Sequence, residues 1–421
     1  MNVGMIGLGK LGLPVAIAMI SRGVQVHGYD QNAGVWAYQR DPWSYPHQES
    51  GLLPGSALQD EFRRVYPDHC ARPAEVCARA RIIFVAVQTP HQPKFGGAEP
   101  LPDERADFDY SHLRAAVASL APHVTPEHIV VVISTCLPGT MRREIVPLLS
   151  GKCRIAYSPL YIAMGTVIPD YLSPEYNLLG VDADSRGCVE ALQELFALMN
   201  TAPNLITDIA TAEAIKVFYN TAITQKIILA NAHMQVAHKM GLNIDDINRG
   251  LMMAGSRITS ARYMRSGGPD SGGCHPRDLI ALSWLGEQID LWPNWFEMMA
   301  FARDAQTEWT ADLVEDALHE HPELPVYILG KAFKPETRIT DGSGALLLGS
   351  FLAAKGVGYT HWDPKIDAVA PDWKQGIYFI ATQHTEFESF EFPIGSIVFD
   401  LWRFIGEPLG CKYVPIGRVG A

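Results

Sequence analysis

Apolar residues along this chain gather in short uninterrupted runs, separated by glycine turns and by stretches with helical spacing. Val3 to Ile6 form the first run, and Gly7, Gly9 and Gly12 follow it. From Pro14 the residues are small and helical, and Val24 to Tyr29 form a second run that ends at Asp30. Runs of this kind, bounded by turn signals and alternating with helices, read as buried strands of a parallel sheet. The pattern continues through "ARIIFVAVQTP" (80–90) and "HIVVVISTCLPGT" (128–140). From Asp208 to Met240 there is neither Gly nor Pro, and Gly241 is placed to end a helix that Thr207 or Asp208 begins. Such a helix spans roughly 50 Å at 1.5 Å per residue, a length that suits a spine between domains or a dimer interface. Val326 to Leu329 start a second α/β unit, with a helix from about Ser343 to Lys355 and a strand ending at Asp363. Further strands follow in "QGIYFIATQH" and "GSIVFDL". The expected class is α/β: two Rossmann-like, doubly wound domains joined by a long central helix.

Composition narrows the partners. The 421 residues carry a formal charge of −12, which argues against nucleic acid or an anionic membrane surface as partner and leaves room for a small anionic substrate in a local basic pocket. No apolar run reaches the length of a membrane span, and the first residues read as a strand, not a signal peptide. Seven cysteines, at 70, 77, 136, 153, 188, 274 and 411, show no paired spacing. An odd count without CxxC fits reduced thiols in a cytoplasmic protein, and no metal is expected.

The glycine turn has a specific reading. A G-x-G-x-x-G that follows a strand and opens a helix is a dinucleotide site: Gly7 permits the turn, Gly9 the approach of a pyrophosphate, and Gly12 close helix packing. Free N–H groups at the helix start meet the phosphates. Asp30, 23 residues after Gly7, would bond the ribose 2′-OH and repel a 2′-phosphate, which favours NAD over NADP. Loops beyond the carboxyl ends of strands line the ligand crevice in such sheets, so Thr89 and Thr135 are placed toward the cofactor, although a turn or capping hydroxyl reads equally well at either.

Three other features carry candidate chemistry. Lys216 and Asn220, four apart, share one face of the long helix among apolar neighbours, where they need partners. Lys331, Lys334 and Arg338 crowd the loop after the 326–329 strand and could hold phosphates, or could simply be solvated. In "SGGCHPRDL", Cys274 is either a nucleophile or a small apolar residue in a loop.

The order and spacing of several segments resemble the nucleotide-sugar 6-dehydrogenases, the UDP-glucose and GDP-mannose dehydrogenase superfamily, over nearly the whole chain. "IGLGKLGLP", "VAVQTP" and "STCLPGT" resemble the family's fingerprint and NAD-side loops, and "AEAIKVFYNTAITQKIILAN" its helix with E-x-x-K-x-x-x-N. "LGKAFKPET" and "IATQHTEF" resemble its second-half loop and strand, and Ser271 to Asp278 takes the place of G-G-x-C-x-P-K-D. The resemblance implies an NAD-binding domain at 1–200, a central helical and dimerisation domain with the cysteine loop at 201–305, and a nucleotide-sugar-binding α/β domain at 306–421. It implies two successive hydride transfers from a sugar C6 alcohol to NAD⁺, the aldehyde being held on Cys274 as a thiohemiacetal, then a thioester that water cleaves. Lys216 and Asn220 would stabilise the developing oxyanion. Asp278 would orient the lysine and a water, and Thr135 would hold that water. Gly7, Gly9, Leu11, Gly12, Asp30, Val87, Thr89 and Thr135 would bind the cofactor. Leu160, Lys216, Asn220, Arg257, Gly273, Phe333 and Lys334 would meet the nucleotide sugar, with Arg403 reaching it across a homodimer interface. The Arg277-Asp278 pair looks closer to the UDP-glucose or GDP-mannose type than to enzymes of N-acetylated sugars.

The chain also departs from the family. In "SPLYIAMG" (158–165), Leu160 stands where the family has its glutamate base, and Met164 at the next glutamate. Asp341 stands where an arginine meets the cofactor, with Arg338 three residues away, and Gly344 replaces a proline. Thioester hydrolysis is then slowed, or uses another base such as Asp278 or His275; a shifted alignment would put Glu175 in that role. Two alternatives follow: a relative performing a single two-electron oxidation, giving an aldehyde or an oxidation-linked epimerisation, and a catalytically silent regulator that binds NAD and a sugar nucleotide.

Overall fold

A computed structural model describes residues 1–41, 64–255, 258, 265–292 and 294–418. The chain divides into two compact units, the first comprising 1–90 and 108–218, the second 91–107 and 219–421.

The first unit is built on an eight-stranded sheet. Its strands are β1 (Asn2–Ile6), β2 (Gln25–Tyr29), β3 (Asp68–His69), β4 (Ile82–Val85), β5 (Ile129–Val132), β6 (Arg154–Tyr157), β7 (Asn177–Gly180) and β8 (Asn204–Thr207). They lie in the order β3-β2-β1-β4-β5-β6-β7-β8, parallel throughout except for the β6–β7 pairing. β4 (IIFV) and β5 (IVVV) are buried at every residue, as expected of central parallel strands covered on both faces. Helix α1 (Gly12–Ser21) is buried from Gly12 to Met19, and its aliphatic side chains share one core with Val3, Met5, Val26, Phe84 and Val131.

Helix α2 (Ile209–Met240) is 32 residues long, and the division between the units falls within it, after Phe218. Asp208 accepts from the Thr211 N–H at 3.1 Å, and Gly241 leaves the helix at φ +66°. The start and stop thus follow from an acidic cap and a left-handed glycine.

In the second unit, α3 (His275–Gln288) packs on α4 (Trp295–Glu320). The Asn294 side chain accepts from Glu297 N–H, capping α4, and donates at 2.7 Å to the Ser283 carbonyl. A five-stranded, fully parallel sheet follows in the order β10-β9-β11-β12-β13. Its strands are β9 (Val326–Leu329), β10 (Tyr359–Trp362), β11 (Ile377–Ile380), β12 (Ile397–Asp400) and β13 (Lys412–Pro415). Helix α5 (Gly344–Ala354) is capped by the Ser343 hydroxyl, which accepts from Ala345 N–H. The class read from the pattern is therefore the class observed. The expected elements did not include β3, β6, β7, β8, β13, α3 or α4, nor the transfer of 91–107 to the second unit. β8 shows why: Leu205 and Ile206 are both 44% exposed, so no buried run marks the edge strand. Among the described residues, no helix is long and apolar enough to cross a membrane.

Candidate active site

The glycine turn has the shape a dinucleotide needs. Gly7 lies at φ +92°, and a Cβ there would meet the Ala86 carbonyl oxygen at 2.6 Å. A Cβ on Gly12 would fall 1.9 Å from the Gly7 carbonyl oxygen, so the helix can start this close only with glycine. Gly9 is different: nothing lies within 4 Å of its Cβ position, which leaves open space where a pyrophosphate approaches. Leu11 stands immediately before α1 and packs against the first unit's core. Asp30, just past β2, accepts from Leu8 N–H at 2.6 Å and from Asn32 N–H at 2.7 Å. Its carboxylate is thereby fixed beside the turn at the carboxyl end of the strand. This combination fits a dinucleotide.

The loops after β4 and β5 are laced together. Thr89 Oγ1 donates to the Thr135 carbonyl at 2.9 Å, and Ser134 Oγ to the Val87 carbonyl at 2.5 Å. Thr89, 3% exposed, spends its hydroxyl on holding Thr135 in place. The 134–141 segment is pinned further by buried groups that sequence reasoning missed. Cys136 N–H donates to Tyr157 Oη and Leu137 N–H to Tyr110 Oη, while Glu213 accepts from Gly139 N–H and Met141 N–H, both at 2.7 Å. Burial of Glu213 pushes its carboxyl up to about 7, against the two N–H donors that favour the anion. Its signal in the sequence was a glutamate amid apolar helix residues, three before Lys216.

Lys216, 7% exposed, donates to the Leu160 carbonyl at 2.9 Å and lies 5.3 Å from the centre of the Tyr161 ring. The side chains of Leu160, Ile162 and Met164 pack against the sheet core. The residues replacing the family's carboxylates thus act as apolar packing, and position 160 offers the lysine only a backbone oxygen. Glu175 is exposed on the turn before β7.

In the second unit, Cys274 occupies the N-cap of α3, at the positive end of the helix dipole. Its loop is tied to the loop after β9. Gly272 N–H donates to the Gly342 carbonyl, and Gly344 N–H to Ser271 Oγ. A Cβ on Gly272, at φ +101°, would meet the Phe333 ring at 3.0 Å, and one on Gly273 would contact Asp341 at 3.4 Å. Cys274, Gly273 and Phe333 therefore belong to one neighbourhood. One turn into α3, the buried Asp278 accepts from Asn220 Nδ2 at 2.5 Å and from Arg277 at 3.1 and 3.2 Å. His91, which the sequence did not single out, is half-buried beside them. Burial and the Arg277 charge push it down to about 4.

Lys334 and Asp341 stay with this neighbourhood, whereas Lys331 and Arg403 do not. Lys334 lies 5.5 Å from the Phe333 ring centre, Arg338 and Asp341 are exposed, and Lys331 pairs with Asp367 at 2.7 Å. Arg403 departs from the expected outward reach. Its side chain is fully buried and donates to Asp245, to the carbonyls of Leu401 and Ile416, and to that of Ser266. Arg257 lies outside the described residues. Glu336, His384 and Glu386 bring their ligand atoms within 4.8 Å of one another, yet Lys365 Nζ sits 2.6 Å from both carboxylates. His384 Nδ1 accepts from Glu336 N–H, and its Nε2 donates to Asp363.

A mostly parallel sheet with this turn and acid is a dinucleotide-binding module. Residues 1–200 match the NAD-binding domain of the UDP-glucose/GDP-mannose dehydrogenase family, and residues 210–303 match its central domain. The chain belongs to that family. It is 27% identical over 386 residues to a GDP-mannose 6-dehydrogenase of Azotobacter vinelandii, covering 90% of this chain and 84% of the relative. With a UDP-glucose 6-dehydrogenase of Rhizobium meliloti it shares 26% over 375 residues, covering 87% and 82%. The fold is similar to a UDP-glucose dehydrogenase structure from Pyrobaculum islandicum, with TM-score 0.81 and 22% identity over 99% and 97% of the two chains. A UDP-D-ManNAc dehydrogenase structure from Pyrococcus horikoshii gives TM-score 0.80 at 22% identity over 99% of each chain.

Proposed function

We propose that the protein oxidises the C6 hydroxyl of a nucleotide sugar toward the uronic acid, with Cys274 carrying the thiohemiacetal and thioester. Bound NAD⁺ supplies the hydride acceptor. Cys274 adds to the aldehyde carbonyl, the ammonium of Lys216 and the amide of Asn220 stabilise the oxyanion, and Asp278 holds Asn220 in orientation. Thr135 positions water, and Lys334, Phe333 and Gly273 meet the substrate. The observation that carries the reading is the buried Asn220–Asp278 bond, which fastens the motif helix to the helix that Cys274 caps. The family relationship supports the same chemistry. The homodimer expected from the resemblance is supported by exposed apolar side chains at Trp295, Met298 and Phe301, which recur every third residue on α4.

The apolar packing of Leu160 and Met164 favours a second reading, in which the reaction stops after one oxidation or at the thioester. A panel of UDP-glucose, GDP-mannose and UDP-N-acetylmannosamine with NAD⁺ separates the two: two NADH per sugar and a carboxylate product support the full oxidation, one NADH and an aldehyde the shorter path. C274S abolishes or arrests turnover. Full activity in C274S excludes the cysteine as nucleophile.

A further inference from the structure

The cysteine loop holds a second titratable pair that this scheme leaves unused. His275, the first residue of α3, lies directly after Cys274, and its Nδ1 is 2.7 Å from Asp270 Oδ1. Asp270 is 1% exposed, and its place is fixed from three sides. Its other carboxylate oxygen accepts from Thr224 Oγ1 at 3.0 Å, and its carbonyl accepts from Arg303 Nε at 2.7 Å. Arg303 is itself buried and held by Asp304 and the Gly97 carbonyl. A carboxylate without a proton can only accept, so the Nδ1 of His275 carries the hydrogen and the lone pair resides on Nε2. This is the tautomer a general base requires, with an anion placed to stabilise the imidazolium that forms.

We propose that His275, oriented by Asp270, is the base that cleaves the Cys274 thioester, in place of the carboxylate missing at position 160. The inference rests on the function proposed above. Nε2 of His275 takes a proton from water as the hydroxide adds to the thioester carbonyl. The tetrahedral adduct collapses, the C–S bond breaks, and the imidazolium returns the proton to the leaving sulfur of Cys274. The uronic acid leaves, and no electrons are transferred in this step. The nearby alternatives are weaker. Both oxygens of Asp278 are engaged by Asn220 and Arg277, and His91 is too weak a base near neutrality. His275 is the catalytic residue of this step, and Asp270 acts through it as a positioning residue.

The test uses the full-length protein with NAD⁺ and each of UDP-glucose, GDP-mannose and UDP-N-acetylmannosamine. Rapid-quench counting of NADH is combined with intact mass and peptide mapping. H275Q keeps a side-chain donor toward Asp270 but has no proton acceptor of imidazole strength. It is expected to release about two NADH per site in one burst, then to turn over about 10²–10⁴-fold more slowly, with an acyl group on the Cys274 peptide. D270N, which keeps an acceptor for Nδ1–H but removes the charge, gives a smaller loss with the same acyl-enzyme, and stands in where H275Q does not fold. Damage to the loop alone would shrink the burst without building up the adduct. Wild-type acid release in both variants, or slowed turnover without acyl-enzyme, overturns the role of His275 and leaves the proposed function standing. Absence of NADH from the wild-type protein with all three sugars overturns both.

Discussion

Glu213 makes a prediction whose sign follows from its surroundings. It is completely buried, accepts from Gly139 N–H and Met141 N–H at 2.7 Å, and has its carboxyl raised from the ordinary 4.5 to about 7, because burial outweighs those donors. The folded protein therefore keeps a proton that the unfolded chain has released throughout this interval. Stability from the protonated form is fully present below pH 4.5 and is lost as pH rises through about 7. At 1.36 kcal/mol per pH unit, the interval corresponds to about 3 kcal/mol. E213Q cannot titrate, and it turns an amide NH₂ toward one of the two N–H donors, at a cost of about 1–3 kcal/mol. Urea unfolding of both proteins at pH 5, 6, 7 and 8 should show the wild-type advantage shrinking by about 2–3 kcal/mol as pH rises. Parallel stability curves would refute that balance, since Glu213 would then be ionised throughout. The consequence reaches function because these two bonds hold the segment that follows Thr135.

Other expectations can be checked separately. D30A removes the acceptor of the Leu8 and Asn32 N–H groups and the charge that repels a 2′-phosphate; KM for NAD⁺ should rise about tenfold and discrimination against NADP⁺ should fall, read from initial rates. N220A strips one donor from the buried Asp278, and should cost about 1–3 kcal/mol in urea unfolding and lower kcat more than it changes KM. R403A leaves the carbonyls of Leu401, Ile416 and Ser266 without this donor, while Asp245 keeps Arg418, so a loss of about 3–5 kcal/mol is expected by denaturant unfolding, from the three stranded carbonyls. Burial would raise the Asp363 carboxyl, but His384 and the N–H groups of Lys331 and Ala332 hold it down at about 2. Its contribution is present above the ordinary 3.8 and lost as pH falls through about 2, so the stability gap between wild type and D363N should close on acidification.

The strands, the glycine turn, the long helix and the residue types of the candidate site were legible because each is written in local order. A run such as IVVV declares a buried strand wherever it lies, and Gly7 and Gly12 declare close backbone approach, since no side chain fits there. Asp208 and Gly241 likewise mark the ends of the long helix through their own backbone and capping chemistry. Partnership was not legible, because it joins residues far apart in the chain and depends on how the loops fold back. That Glu213 serves Gly139 and Met141 and that Thr89 is spent on Thr135 follow only from packing. The same holds for Arg403 turning inward to Asp245 and for Asp270 gripping His275. A buried polar group must find a partner, and which one it finds is set by three-dimensional proximity, a quantity that spacing along the chain does not contain.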